Sequence, residues 1–194
     1  VALRTNSKGV IMEYAVGQAV VFGTEGATIV REITTTEAAG KTWTKVTLGY
    51  PFDNVEPDMI IRPLADHDCL APLSEVLGPG GVPAVLAVLA SPAPDREPTT
   101  WGSVRETYWT MIGGITADAY LDEMPAVLEA RQVAQVVRNL TARQHRQALD
   151  PWESQMLDQA RKVLVSEVAL GAAIDRPRAE AAIDEALAVH RPPS

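Results

Sequence analysis

Asp150-Pro151-Trp152-Glu153-Ser154-Gln155-Met156-Leu157-Asp158-Gln159-Ala160-Arg161-Lys162-Val163-Leu164-Val165-Ser166-Glu167-Val168-Ala169-Leu170-Gly171 carries the grammar of one long helix. Met156, Leu157, Ala160, Val163, Leu164 and Val168 recur at helical spacing and make one apolar face. Asp150 is placed to cap the helix, Pro151 sits at its first position, and Glu153 completes a capping box. Gly171 is expected to end it. Upstream, Val133, Val136, Val137 and Leu140 form a second helical face. Downstream, Ala182, Ile183, Ala186 and Leu187 stripe a last helix running roughly from Arg178 to Val189, and Pro192-Pro193 forbids its extension. Three such faces are expected to pack into an all-α bundle. No internal repeat and no sustained heptad register is present.

Ahead of Trp101 the period is different. Ala19-Val20-Val21-Phe22, Thr28-Ile29-Val30, Thr42 to Leu48 and Met59-Ile60-Ile61 are short runs rich in β-branched and aromatic residues. Gly17, Gly23, Gly26, Gly40, Gly49 and Pro57 punctuate them, which reads as a small antiparallel β-barrel. Within the third run the alternation is imperfect, and Trp43 is read as a core side chain rather than a surface aromatic. Gly78-Pro79-Gly80-Gly81-Val82-Pro83 and Ser91 to Pro98 bracket a short helix over Ala84 to Leu89. The fold class is therefore α+β, a barrel followed by a helical bundle. Residues 1–12 are expected to be a loose tail, 13–75 the barrel, 76–100 a linker with its short helix, and 101–190 the helical domain.

A chain of 194 residues can bury one ordinary core or two small ones, and 46% hydrophobic with 22% charged residues is globular composition. The net charge of −8 disfavours bulk attraction to polyanions, so any nucleic-acid role must come from a local basic stripe. A single cysteine, Cys69, excludes an internal disulfide framework and fits a reducing cytoplasm. The apolar run Val82 to Leu89 is too short to span a bilayer, and Val1 to Val10 lacks the apolar core of a signal peptide. The expected location is cytoplasmic, with no membrane partner.

Asp66-His67-Asp68-Cys69 is the densest cluster of ligand-type side chains. Adjacent residues on an extended chain point to opposite sides, and neither His145 nor His190 supplies a second ligand pair, so the cluster reads as a polar loop with no metal. His67 is too close along the chain to orient Cys69 as a nucleophile, and Gly78-Pro79-Gly80-Gly81 lacks the lysine and register of a phosphate loop. Asp122-Glu123 and Asp184-Glu185 read as solvated helix faces. No catalytic residue and no cofactor is expected, and the chain is read as a non-enzyme. Two binding features remain. Arg131, Arg138, Arg143, His145 and Arg146 line and extend one helix; the plain reading is a solvated face paired with Glu129 or its neighbours, the functional one a row of phosphate contacts. Trp101 either anchors the start of the helical domain or projects as an apolar wedge against a base step. Tyr108 and Trp109 are expected in the core, and Trp152 at the start of its helix.

Val16-Gly17-Gln18-Ala19-Val20-Val21-Phe22 with Gly26, Glu97-Pro98-Thr99-Thr100-Trp101, Val133 to Leu140 and Ala160 to Leu170 stand in the order found in the CarD/CdnL family of bacterial RNA polymerase-binding transcription regulators. The chain resembles that family from about Val16 to Leu187. The resemblance implies a Tudor-like amino-terminal domain that pairs with the RNA polymerase β subunit largely by strand addition. It also implies a helical domain that meets promoter DNA at the upstream edge of the melted region, with a tryptophan in the minor groove. Trp101 matches that tryptophan. Arg62, within Ile60-Ile61-Arg62-Pro63, matches an arginine turned towards the polymerase, which makes Ile60, Ile61 and Arg62 the candidate docking residues. A second basic position of the family falls near Thr36.

The chain departs from the family after the tryptophan. Gly102-Ser103-Val104-Arg105-Glu106-Thr107 keeps only Arg105 of a basic run and adds an acid, so phosphate affinity is expected to be weak. Residues 49–58 and 113–127 look like insertions. The leading expectation is a transcription regulator docked on the polymerase β subunit, with Trp101, Arg105 and Arg138 as candidate DNA contacts. The rival is an acidic adaptor that recruits another regulatory protein to the polymerase and never meets DNA.

Overall fold

The computed structural model describes residues 2–5, 11–22, 25–38, 41–51, 59–61, 73–78, 80–93 and 130–190. The chain is an α+β protein of two compact units: residues 1–22 with 27–75, and residues 76–194 with 23–26.

The first unit is built from strands. β1 (Ala2–Thr5) pairs antiparallel with β2 (Ile11–Tyr14), so part of the expected loose tail is a hairpin. β3 (Ala19–Phe22), β4 (Gly26–Ala38), β5 (Lys41–Gly49), β6 (Met59–Ile61) and β7 (Leu73–Glu75) make a five-stranded sheet in the order β6-β5-β4-β3-β7. All four expected strands are present, and β4 is far longer than the Thr28 to Val30 run that announced it. β6 and β7 form the two edges of this sheet, and no pairing between them closes it into a barrel among the described residues.

Tyr14, Val20, Val30, Val46 and Leu48 form the buried core, with Phe22 and Ile33 packed against it. A bulge in β4 makes this core possible. Val30 stands opposite Leu48 and Ile33 opposite Val46, so β5 uses a step of two where β4 uses three. The extra residue between Val30 and Glu32 returns Ile33 to the core face, which a strict period of two would have turned outwards. The Val16-Gly17-Gln18 motif has an equally local cause. The Gln18 N–H donates to the Ala15 carbonyl at 3.0 Å across a turn whose third residue, Gly17, has φ +88°. That conformation favours glycine, and it lets the Gly17 N–H donate to the Val30 carbonyl at 2.7 Å.

The second unit contains α1 (Gly81–Leu89), α2 (Ala130–Arg146), α3 (Pro151–Ala172) and α4 (Arg176–Ala188). α1 begins three residues earlier than expected, because Pro83 lies in the first turn, where its missing N–H costs no helical bond. α3 packs against α2 and α4, and α1 packs against all three. Every apolar position read from the helical period of α2 and α3 is buried, from Val133 to Leu140 and from Met156 to Val168. Ile183 and Ala179 are the buried residues of α4, which starts earlier than expected because Asp175 caps it and Pro177 lies in its first turn. No helix among the described residues is long and apolar enough to cross a membrane.

Gly171 does not end α3. The left-handed residue is Ala173, at φ 53°, and the Ile174 N–H closes the motif by donating to the Ala169 carbonyl at 2.9 Å. Gly171 is inside the last turn for another reason: a Cβ there would lie 2.6 Å from the Leu77 carbonyl oxygen and 2.9 Å from Val82 Cγ2. Absence of a side chain lets the backbone before α1 lie directly on α3.

Candidate functional site

The candidate docking residues Ile60 and Ile61 lie on β6, opposite Thr47 and Val46 of β5. Because β6 is an edge of the sheet, one row of its backbone N–H and C=O groups faces away from β5. Arg62, the third member, is outside the described residues, as are Trp101, Arg105, Tyr108, Trp109, the Asp66 to Cys69 cluster, Asp122-Glu123 and the segment 113–127. Among the described residues no group of three His, Cys, Asp or Glu side chains is placed to hold a metal ion. Thr36, near which the resemblance would put a second basic residue, is exposed on β4 opposite Trp43.

The arginine row of α2 does not face one way. Arg131, His145 and Arg146 are exposed, whereas Arg138 and Arg143 are turned to partners within the helical unit. Arg138 Nη1 donates to Ser91 Oγ at 2.6 Å and its Nε donates to Asn139 Oδ1 at 3.0 Å. Arg143 Nε lies 3.0 Å from Glu153 Oε1, and the Gln147 amide, oriented with its oxygen inwards, accepts from Arg143 Nη2 at 2.8 Å. Glu129, the partner expected for the row, is outside the described residues.

Glu153 draws this corner together. The Asp150 carboxylate accepts from the Glu153 N–H at 2.9 Å, and Glu153 Oε2 accepts from the Asp150 N–H at 2.8 Å, which is the capping box read from the sequence. The same carboxylate, 2% exposed, meets Arg143 from the end of α2. A helix cap has thereby become the clasp of the α2 to α3 turn, and one of the would-be phosphate ligands is consumed in it. Trp152 beside it is half-buried in the first turn of α3. The Asp184 carboxylate, read as part of a solvated face, accepts from Arg161 Nη2 at 2.7 Å on the surface.

Sequence reasoning missed Glu167. It lies in α3 at 3% exposure, and its Oε1 has no hydrogen-bond partner among the described residues. Burial pushes its carboxyl up to about 8, against a smaller opposing effect of a backbone hydrogen bond from Leu77. One turn later Gly171 receives the Leu77 carbonyl. Leu77 thus donates its N–H to Glu167 and lays its carbonyl close over Gly171, just ahead of α1. The available signal was the run Val163-Leu164-Val165-Ser166-Glu167-Val168-Ala169, whose apolar residues leave no polar face wide enough to seat an acid in water.

This geometry leaves a sheet edge at β6 and a helical unit in which Arg138 and Arg143 are engaged by internal partners while Arg131, His145 and Arg146 are exposed. The family model for the CarD C-terminal domain matches residues 128–184, which span α2, α3 and most of α4. Residues 128–184 are thus similar to the CarD C-terminal domain, and in this chain they follow a β-sheet unit.

Proposed function

We propose that this protein is a non-enzymatic transcription regulator of the bacterial cytoplasm that docks on the β subunit of RNA polymerase and shifts the open-complex equilibrium at promoters. The CarD C-terminal domain at residues 128–184 is the observation that carries the reading. In this account the amino-terminal unit acts as a Tudor-like docking domain, adding a polymerase strand along the edge that holds Ile60 and Ile61, with Arg62 alongside. Trp101 enters the minor groove at the upstream edge of the bubble, and Arg105 contacts a phosphate. A regulator of this kind acts by binding one state of the promoter complex better than the other. Trp101→Ala is expected to change open-complex lifetime while the helical circular dichroism stays at the wild-type level. Loss of the helical signal would make Trp101 an anchor of the fold and refute the wedge.

Two observations favour the acidic adaptor reading. The net charge is −8, and Arg138 and Arg143 are engaged inside the helical unit. A promoter effect sensitive to Arg62→Glu but indifferent to Trp101→Ala and Arg105→Ala would select it.

A further inference from the structure

α1 ends without a basic residue in its last turn, so the negative end of its backbone dipole has no cation of its own. The cation arrives from α2. Arg138 Nη1 donates to Ser91 Oγ at 2.6 Å, and the same hydroxyl donates its proton to the Val88 carbonyl at 2.6 Å. The Ser91 N–H donates to that carbonyl as well, at 3.2 Å. Ser91 therefore relays the guanidinium charge to the end of α1 through one oxygen. The next residue is Pro92, which fixes its own φ and restricts Ser91, and the sequence then runs through Pro94 and Pro98 to Trp101. Among the described residues, Ser91 is where an α2 side chain grips the start of this run.

We propose that Arg138 is a positioning residue, which through Ser91 fixes the direction in which the Pro-rich run leaves α1, and that it is not a DNA phosphate ligand. Both edges of its guanidinium support this, since Nε is taken by Asn139 Oδ1 while Nη1 is taken by Ser91. A charge-assisted bond between half-buried groups is short, directional and stronger than a neutral one. The functional part of the proposal rests on the reading that the run delivers Trp101 to promoter DNA; the staple itself does not.

The test is a double-mutant cycle on the full chain. Amide hydrogen exchange at Ala90 and Ser91 is measured for the wild type, Ser91→Ala, Arg138→Ala and the double variant. Each single change is expected to speed exchange, Ser91→Ala by about tenfold, and the double variant by no more than Ser91→Ala, because the Arg138 bond lost in Arg138→Ala is already lost with the Ser91 hydroxyl. Ser91→Thr, which restores a hydroxyl and touches no charge, is expected to recover most of the protection. Additive effects, or a silent Ser91→Ala, would overturn the staple. With polymerase and promoter DNA present, Arg138→Ala is expected to leave the dependence of binding on salt unchanged and Ser91→Ala to reproduce its effect on open-complex lifetime. A decrease of about one in the salt slope would make Arg138 a phosphate contact and refute the proposal. The exchange cycle needs neither polymerase nor DNA, so failure of Trp101→Ala to affect open complexes would remove the proposed function while leaving the staple standing.

Discussion

Replacing Glu167 by glutamine should stabilise the protein at neutral and higher pH, and it should do so by a pH-dependent amount. The folded state holds this carboxyl at about 8 against an ordinary 4.5, because the group is buried in α3. Below 4.5 the acid is neutral in both folded and unfolded chains and costs nothing. As pH rises from there, the unfolded chain ionises and the folded one does not, so stability is lost continuously until the folded group also titrates. The full loss corresponds to about 5 kcal/mol, of which about 3 has accrued at neutral pH. Glutamine is neutral throughout and keeps an oxygen for the Leu77 N–H, but its amide brings two donors that find few acceptors, at a cost of about 1–3 kcal/mol. That cost does not vary with pH. Urea unfolding of wild type and Glu167→Gln, followed by helical circular dichroism between about pH 5 and pH 8, therefore gives a difference that grows in favour of the variant by several kcal/mol. All other titrating groups cancel in the difference. A difference that stays flat across this range would show that Glu167 ionises freely in the folded state, and the argument from burial would fail.

Gly171→Ala should destabilise the helical unit, although the same change at an exposed helix position stabilises by about 1 kcal/mol. The new Cβ would stand 2.6 Å from the Leu77 carbonyl oxygen and force backbone to move, a cost of about 1–3 kcal/mol that leaves a net loss readable as a lower urea midpoint. Ala173→Gly should act the other way. Ala173 is exposed with φ 53°, a conformation costing an L-residue about 1–2 kcal/mol, and glycine there should raise the thermal midpoint; an unchanged or lower midpoint would mean that the Cβ of Ala173 contributes packing.

The helices were legible because their causes are local. The Asp150 cap, Pro151 and the apolar spacing from Met156 to Val168 are all within one turn or two of one another, and each is realised. Four of the five strands of the sheet were legible for the same reason; β7 was not, and neither was the bulge after Val30, which depends on Leu48 and Val46 of another strand. Gly171 illustrates the same limit. A glycine near the end of an apolar run reads as a stop, but the residue that requires it is Leu77, which comes from the far side of α1 and meets it only in the folded unit. Arg138 and Arg143 looked like neighbours of phosphates because helical spacing tells which face a side chain takes, and not whether Ser91 or Glu153 is waiting on that face. Glu153 was assigned its cap from spacing, and its second partner could come only from the packing of α2 on α3.

The central claim, docking on RNA polymerase through the amino-terminal unit, is tested most directly by binding of the full chain to an isolated fragment of the polymerase β lobe, with Arg62→Glu as the matched control. The account predicts saturable binding by the wild type that the charge reversal abolishes. No binding, or binding indifferent to Arg62→Glu, would contradict it.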